Sequence, residues 1–124
     1  MKKLNDLSYA IRGAAFKVHS ALGPGLLEST YESCLEHELR RTGFLVERQI
    51  ALPLIYEGLV VNNAYRIDLL VEKKLLIELK SVERLLPIHT AQLLTYLKLT
   101  NVRLGLLMNF NVPHLRDGIR RYLL

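Results

Sequence analysis

At 124 residues, 50% hydrophobic and 23% charged, the chain has the size and balance of one globular domain with a real core, which excludes disorder. Its apolar runs span only a few residues, no apolar stretch follows Lys2-Lys3, and Cys34 is the sole cysteine. A membrane span, a signal peptide and an internal disulfide are therefore not expected, and the cytoplasm is the expected location.

The formal net charge of +5 favours a polyanionic partner such as nucleic acid, although the 17 basic residues are scattered rather than clustered. In chain order, Asn5 or Asp6 can cap a first helix running to about Leu22, with Leu7, Ala10, Ile11, Ala14, Ala15, Val18 and Leu22 at the helical period. His19, beside that stripe, suits packing better than metal binding. Gly23-Pro24-Gly25 then breaks the helix. A second helix is expected from about Leu26 to Thr42, stopped by Gly43, with Leu27, Tyr31, Cys34, Leu35 and Leu39 as its buried stripe. Cys34 in such company suits the core, and no Cys-x-x-Cys accompanies it that would suggest zinc. At about 100° per residue, Glu28 projects within about 20° of Leu35. An acid on an inward face needs a reason, because burying an unpaired charge is costly. Glu38 shares that face but lies near the helix end, where it could reach solvent.

Residues 44–56 read as a long strand in which Pro53 suggests an edge position or a bulge, and Glu57-Gly58 as the hairpin turn that follows it. The chain returns through Val60 and Asn62-Asn63 into Tyr65–Lys80, two apolar strands joined by the turn Glu72-Lys73-Lys74. Side chains alternate along a strand, so Asp68 shares a face with Leu70, and Glu78 with Leu76 and Lys80. A three-residue turn pairs Val71 with Leu75 and sets Asp68 opposite Glu78, about 4.5–5.5 Å apart at Cβ. A two-residue turn shifts the register by one and breaks that pairing.

Facing carboxylates repel unless a proton or cation lies between them. Two of them beside a lysine can hold Mg²⁺ by hard oxygens and aim a fixed charge at phosphate, the requirements of metal-dependent phosphodiester cleavage. The same residues also suit the solvated edge of a charged hairpin, and both readings stay open at this point. After Lys80, a loop with Pro87 leads to a third helix of about Ile88–Leu99, with Leu93, Leu94 and Leu97 as its core face and Gln92 and Tyr96 sharing one side. That pair could equally cap polar groups at the rim of the core. A buried strand of about Arg103–Phe110 and a last short helix of about His114–Tyr122 complete the chain. The order predicts a mixed sheet with helices on both faces.

Gly25-x-x-Glu28-x-x-Tyr31, Tyr65-Arg-Ile-Asp-Leu-Leu-Val71, Ile77-Glu-Leu-Lys80 and Gln92-x-x-x-Tyr96 occur together and in order. In this the chain resembles the GxxExxY proteins, a branch of the PD-(D/E)XK nuclease-like superfamily. The resemblance covers nearly the whole chain, including Asn109-Phe-Asn-Val-Pro113 and Asp117-Gly-Ile-Arg-Arg121. It implies a single restriction-endonuclease-like domain over 1–124, with an α-β-β-β-α-β core and extra N- and C-terminal helices. It further implies Asp68 and Glu78 as metal ligands with the Leu79 carbonyl, Glu28 as the acid from the helix, and Lys80 as the catalytic lysine. Gln92 and Tyr96 would line the site. Ile67 stands where the motif has proline. The implied function is a Mg²⁺- or Mn²⁺-dependent nuclease acting on DNA. The rivals are an inactive nucleic-acid-binding module or a dimeric interaction module of the same fold. A homodimer suits a small nuclease that must cut two strands, and without an appended recognition domain strong sequence specificity is not expected.

Overall fold

The computed structural model describes residues 2–124. Helices α1 (Lys2–Leu22) and α2 (Glu28–Arg41) precede strands β1 (Val46–Tyr56), β2 (Leu59–Val71) and β3 (Leu75–Lys80). Helix α3 (Pro87–Thr100), strand β4 (Leu104–Asn109), a 3-10 turn (Leu115–Gly118) and strand β5 (Ile119–Leu123) follow. The strands form one sheet in the order β1-β2-β3-β4-β5. Only β3 and β4 are parallel, joined by the α3 crossover, and the other neighbours are antiparallel. One core packs α1 and α2 on Leu69, Val71, Ile77, Leu79 and Leu106, and a smaller one packs Leu93 and Leu97 of α3 on Ile67, Leu76 and Leu107. Central strands covered on both faces need continuous apolar sequence, and β4 is buried along its whole length.

The chain between β2 and β3 turns tightly because Glu72 and Lys73 both take positive φ (54° each), and the Lys74 N–H donates to Val71 O at 3.0 Å. That turn sets Val71 opposite Leu75. Pro53 lies on an edge strand and also at a bulge: the β1–β2 register shifts between Leu52 and Leu54, where proline removes a ladder donor.

Five sequence expectations are corrected. Ala10 and Leu22 of the expected α1 stripe are exposed. Helix α1 begins before Asn5 and Asp6, so neither caps it, and Asn5 Oδ1 instead accepts from Arg121 at 2.6 Å. Leu27 is the N-cap of α2 and is 73% exposed. Leu94 is only partly buried, at the margin of the face made by Leu93 and Leu97. The C-terminal helix is absent: after the 3-10 turn, residues 119–123 form β5. The free edge of β4 offers a full ladder there, which a helix of that length could not match in backbone hydrogen bonds. His19 is a packing residue, its Nε2 lying 3.1 Å from Phe110 O and 2.8 Å from Val112 O.

Candidate active site

The β2–β3 ladder pairs Leu69 with Ile77, and one step further along lie Asp68 and Glu78. There the backbone ladder gives way to side chains. The Asp68 N–H donates to Glu78 Oε1 (3.1 Å), and the Leu79 N–H donates to Asp68 Oδ2 (2.9 Å). Each carboxylate is thus tied to the opposite strand's backbone, which brings the two together in the fork where β2 leaves β3. Glu78 is only 3% exposed. Burial is the main cause that pushes Glu78 up to about 8, with the Asp68 charge next. Burial also pushes Asp68 up to about 6, helped by the charges of Glu32 and Glu28 and opposed by the Leu79 N–H and Lys80. The pair therefore tends to share a proton when no cation is present.

The third carboxylate that the structure adds is Glu32, one helical turn after Glu28 and 3% exposed. Arg48 Nε donates to Glu32 Oε2 (2.6 Å), and Gln49 Nε2 donates to Glu32 Oε1 (2.7 Å) and to Asp68 Oδ1 (3.2 Å). Arg48 lies on β1 beside Leu69 of the α1/α2 core, while Ile50, two residues on, packs with Ile67 in the α3 core. Residues two apart on a regular strand share a face, so the alternation is interrupted at Gln49 and Asp68. Gln49 carries the break, with φ 51°. Sequence patterning missed Glu32 because its partners lie 16 and 17 residues away, on a strand whose pleat is locally broken.

Lys80 is on the same face of β3 as Glu78, and its Nζ donates to Gln92 Oε1 at 3.3 Å. Gln92 Nε2 in turn donates to the Tyr96 hydroxyl at 2.9 Å. Tyr96 stacks on Tyr65 with ring centroids 5.2 Å apart. Burial raises the Tyr96 phenol, and the charges of Glu78 and Asp68 raise it further. Lys80, Gln92 and Tyr96 thus line the α3 side of the carboxylate pair.

Glu28 is half-buried in the first turn of α2, where the helix dipole favours a carboxylate. It is near enough for its charge to raise both Asp68 and Glu78. The loop before it is fastened by Tyr31, a fully buried ring stacked on Phe110 at 4.7 Å. The Tyr31 hydroxyl donates to Gly23 O (2.6 Å) and accepts from the Leu26 N–H (3.1 Å), while Ser81 Oγ donates to Leu26 O (2.6 Å). Gly25, at φ 101°, takes a conformation that suits glycine. The glycine, acid and tyrosine of the first motif therefore make one device that carries Glu28.

Among the described residues, no three His, Cys, Asp or Glu side chains gather closely enough to hold one ion. The donors that would meet a hard cation are Asp68, Glu78 and the Leu79 carbonyl, with Glu28 nearby. Their chemistry fits Mg²⁺ or Mn²⁺: they are oxygens, and the two carboxylates are largely buried and repel each other, a repulsion that a cation would offset. A cavity of about 580 Å³ lined by Phe16, His19, Ser20, Pro113 and Arg116 includes none of these residues. Among the described residues, no helix is long and apolar enough to cross a membrane.

A family model described as the PD-(D/E)XK nuclease superfamily matches residues 5–122. No curated protein and no solved structure gives a match.

Proposed function

The chain belongs to the PD-(D/E)XK nuclease superfamily, and from that premise we propose that it is a single-domain, metal-dependent nuclease that hydrolyses phosphodiester bonds, with DNA as substrate. The observation that carries this reading is the Asp68–Glu78 pair, each carboxylate tied to the other strand's backbone, with Lys80 on the same face. Asp68, Glu78 and the Leu79 carbonyl would hold Mg²⁺ or Mn²⁺, with Glu28 adding negative charge at the rim. Such an ion would supply Lewis acidity toward phosphate and water. Lys80 aims a fixed charge at the phosphoryl oxygens as negative charge grows there. Gln92 holds the lysine in place, and Tyr96, kept neutral, offers a phenol beside it. We further propose that the protein falls in the GxxExxY branch, whose motifs it resembles, and that it acts in the cytoplasm.

The experiment is a cleavage screen on labelled single- and double-stranded DNA and RNA with Mg²⁺ and Mn²⁺, run beside Glu78→Ala. Metal-dependent cleavage that is lost in Glu78→Ala is the expected result. Cleavage that survives the substitution, or that needs no divalent ion, overturns the reading. One observation favours a second reading, a binding module of the same fold: no three carboxylates converge on one point among the described residues. Nucleic-acid binding without cleavage in either metal would establish that alternative. Sedimentation would show whether a homodimer forms, as coordinated double-strand cutting requires.

A further inference from the structure

Gln49 stands in the middle of β1 with φ 51°, a left-handed conformation that a glutamine rarely adopts. No residue is inserted there, because Arg48 pairs with Leu69 and Ile50 with Ile67 in one register. The kink instead turns the side chain, and its amide uses both N–H groups at once. One donates to Glu32 Oε1 (2.7 Å) and the other to Asp68 Oδ1 (3.2 Å). Glu32 is itself held on its other oxygen by Arg48 Nε (2.6 Å), and Arg48 Nη1 also reaches Glu36 Oε1 (3.1 Å). A continuous chain of charge and amide therefore runs from α2 through β1 to Asp68.

We propose that Gln49 is a positioning residue that fixes the Asp68 carboxylate for metal binding, with Glu32 and Arg48 as its anchor; this rests on the metal-dependent reading above. A carboxylate tied at one oxygen can still rotate. Asp68 is tied at both, by the Leu79 N–H on Oδ2 and by Gln49 on Oδ1, so its plane is set before a cation arrives. Groups that orient a ligand through a hydrogen bond typically contribute 10–100-fold to metal affinity. The positive φ of Gln49 carries the break in the pleat between the two cores, and the same kink brings its amide to Glu32 and Asp68.

The test is calorimetric titration with Mn²⁺ together with metal-free thermal denaturation of the wild type, Gln49→Gly and Gln49→Leu. Glycine relieves the positive φ but takes the amide from buried Glu32, so its Tm should lie above that of the leucine variant. Leucine keeps the strain and also removes the amide, so Tm should fall. Mn²⁺ affinity should drop by about tenfold or more in both. Affinities that follow Tm, or a Gln49→Gly variant that binds Mn²⁺ as tightly as wild type, overturn the assignment. Gln49→Gly alone decides the matter if the leucine variant does not fold. Wild type that binds no Mn²⁺ removes the metal-dependent reading and this inference with it. Wild type that binds while both variants are unaffected removes only this one.

Discussion

The carboxylate pair and Lys80 should divide their labour by charge type. An ammonium has no lone pair for a metal and is repelled by it. Lys80→Ala should therefore leave Mn²⁺ affinity equal or slightly tighter by calorimetry, while cleavage falls by about 10²–10³-fold. Asp68→Ala should lose both. A Lys80→Ala variant that binds no metal would refute this division. The raised acidities also predict a pH dependence. A carboxyl whose folded pKa lies above its unfolded value holds its proton more tightly in the folded state. Its stabilisation is full below the unfolded pKa, near 4, and is lost as pH rises through the folded value. With Asp68 at about 6 and Glu78 at about 8, metal-free protein should lose stability as pH rises from about 4 to just above 8. A tenfold change in acidity is about 1.4 kcal/mol, and 1 kcal/mol moves the Tm of a domain this size by roughly 3–6 °C. Thermal scans at pH 6 and 9 should therefore differ by more than about 5 °C, and Glu78→Gln should flatten the difference. A flat wild-type profile would show the pair to be less buried and less coupled than its geometry indicates. Asp68, Glu78 and Lys80 were legible in the sequence because strand alternation and one turn length decide their meeting. Glu32 was not: its helical angle is at the margin of the apolar stripe, and only Arg48 and Gln49 make its burial tolerable.

At the scale of elements, the C-terminus shows where local pattern fails. Leu115, Ile119 and Tyr122 lie at spacings that a helix also produces, so the segment is ambiguous until the open edge of β4 is known. The turn into β5 depends on Gly118, where a Cβ would collide with the Asn109 carbonyl oxygen. Gly118→Ala should cost about 2–3 kcal/mol by urea denaturation, the scale of overpacking against an atom that cannot yield. A cost below about 0.5 kcal/mol would mean that β5 shifts freely. Helix α2 shows the opposite case. Its start depends on the Tyr31 hydroxyl, which serves both Gly23 O and the Leu26 N–H. Tyr31→Phe keeps the stacked ring but leaves both groups without that partner, and should cost about 1–3 kcal/mol in the same measurement. The motif made Tyr31 visible in the sequence. Its role became legible only once the hydroxyl's partners, 5 and 8 residues back, were located in space.

For the whole molecule, the mixed sheet covered on both faces followed from the alternation of apolar strands with amphipathic helices. The first strand and the turn of the β1–β2 arm were legible too, but not that β2 begins at Leu59 and pairs along the whole arm. Its tip leaves Ile55, Tyr56, Leu59 and Val60 between 55% and 72% exposed. From Ile50 to Tyr65 the only charged residue is Glu57, at the turn, so the arm carries no cation. The basic residues behind the net charge of +5 therefore all lie outside the arm. Binding to nucleic acid driven by that charge should release counterions and weaken linearly in log K against log salt. The expected slope is about −0.9 per phosphate neutralised on duplex DNA and about −0.7 on single strands. Fluorescence anisotropy with Glu78→Gln, which removes cleavage from the readout, should give a slope between about −2 and −5, as for roughly three to five phosphates. The substitutions Ile55→Ser and Leu59→Ser should leave that slope unchanged, because they remove no cation. A decrease in affinity at constant slope would place bases or sugars, rather than phosphates, against the arm. Binding indifferent to salt, or a slope that falls with the arm substitutions, would contradict an electrostatic origin in the body of the molecule.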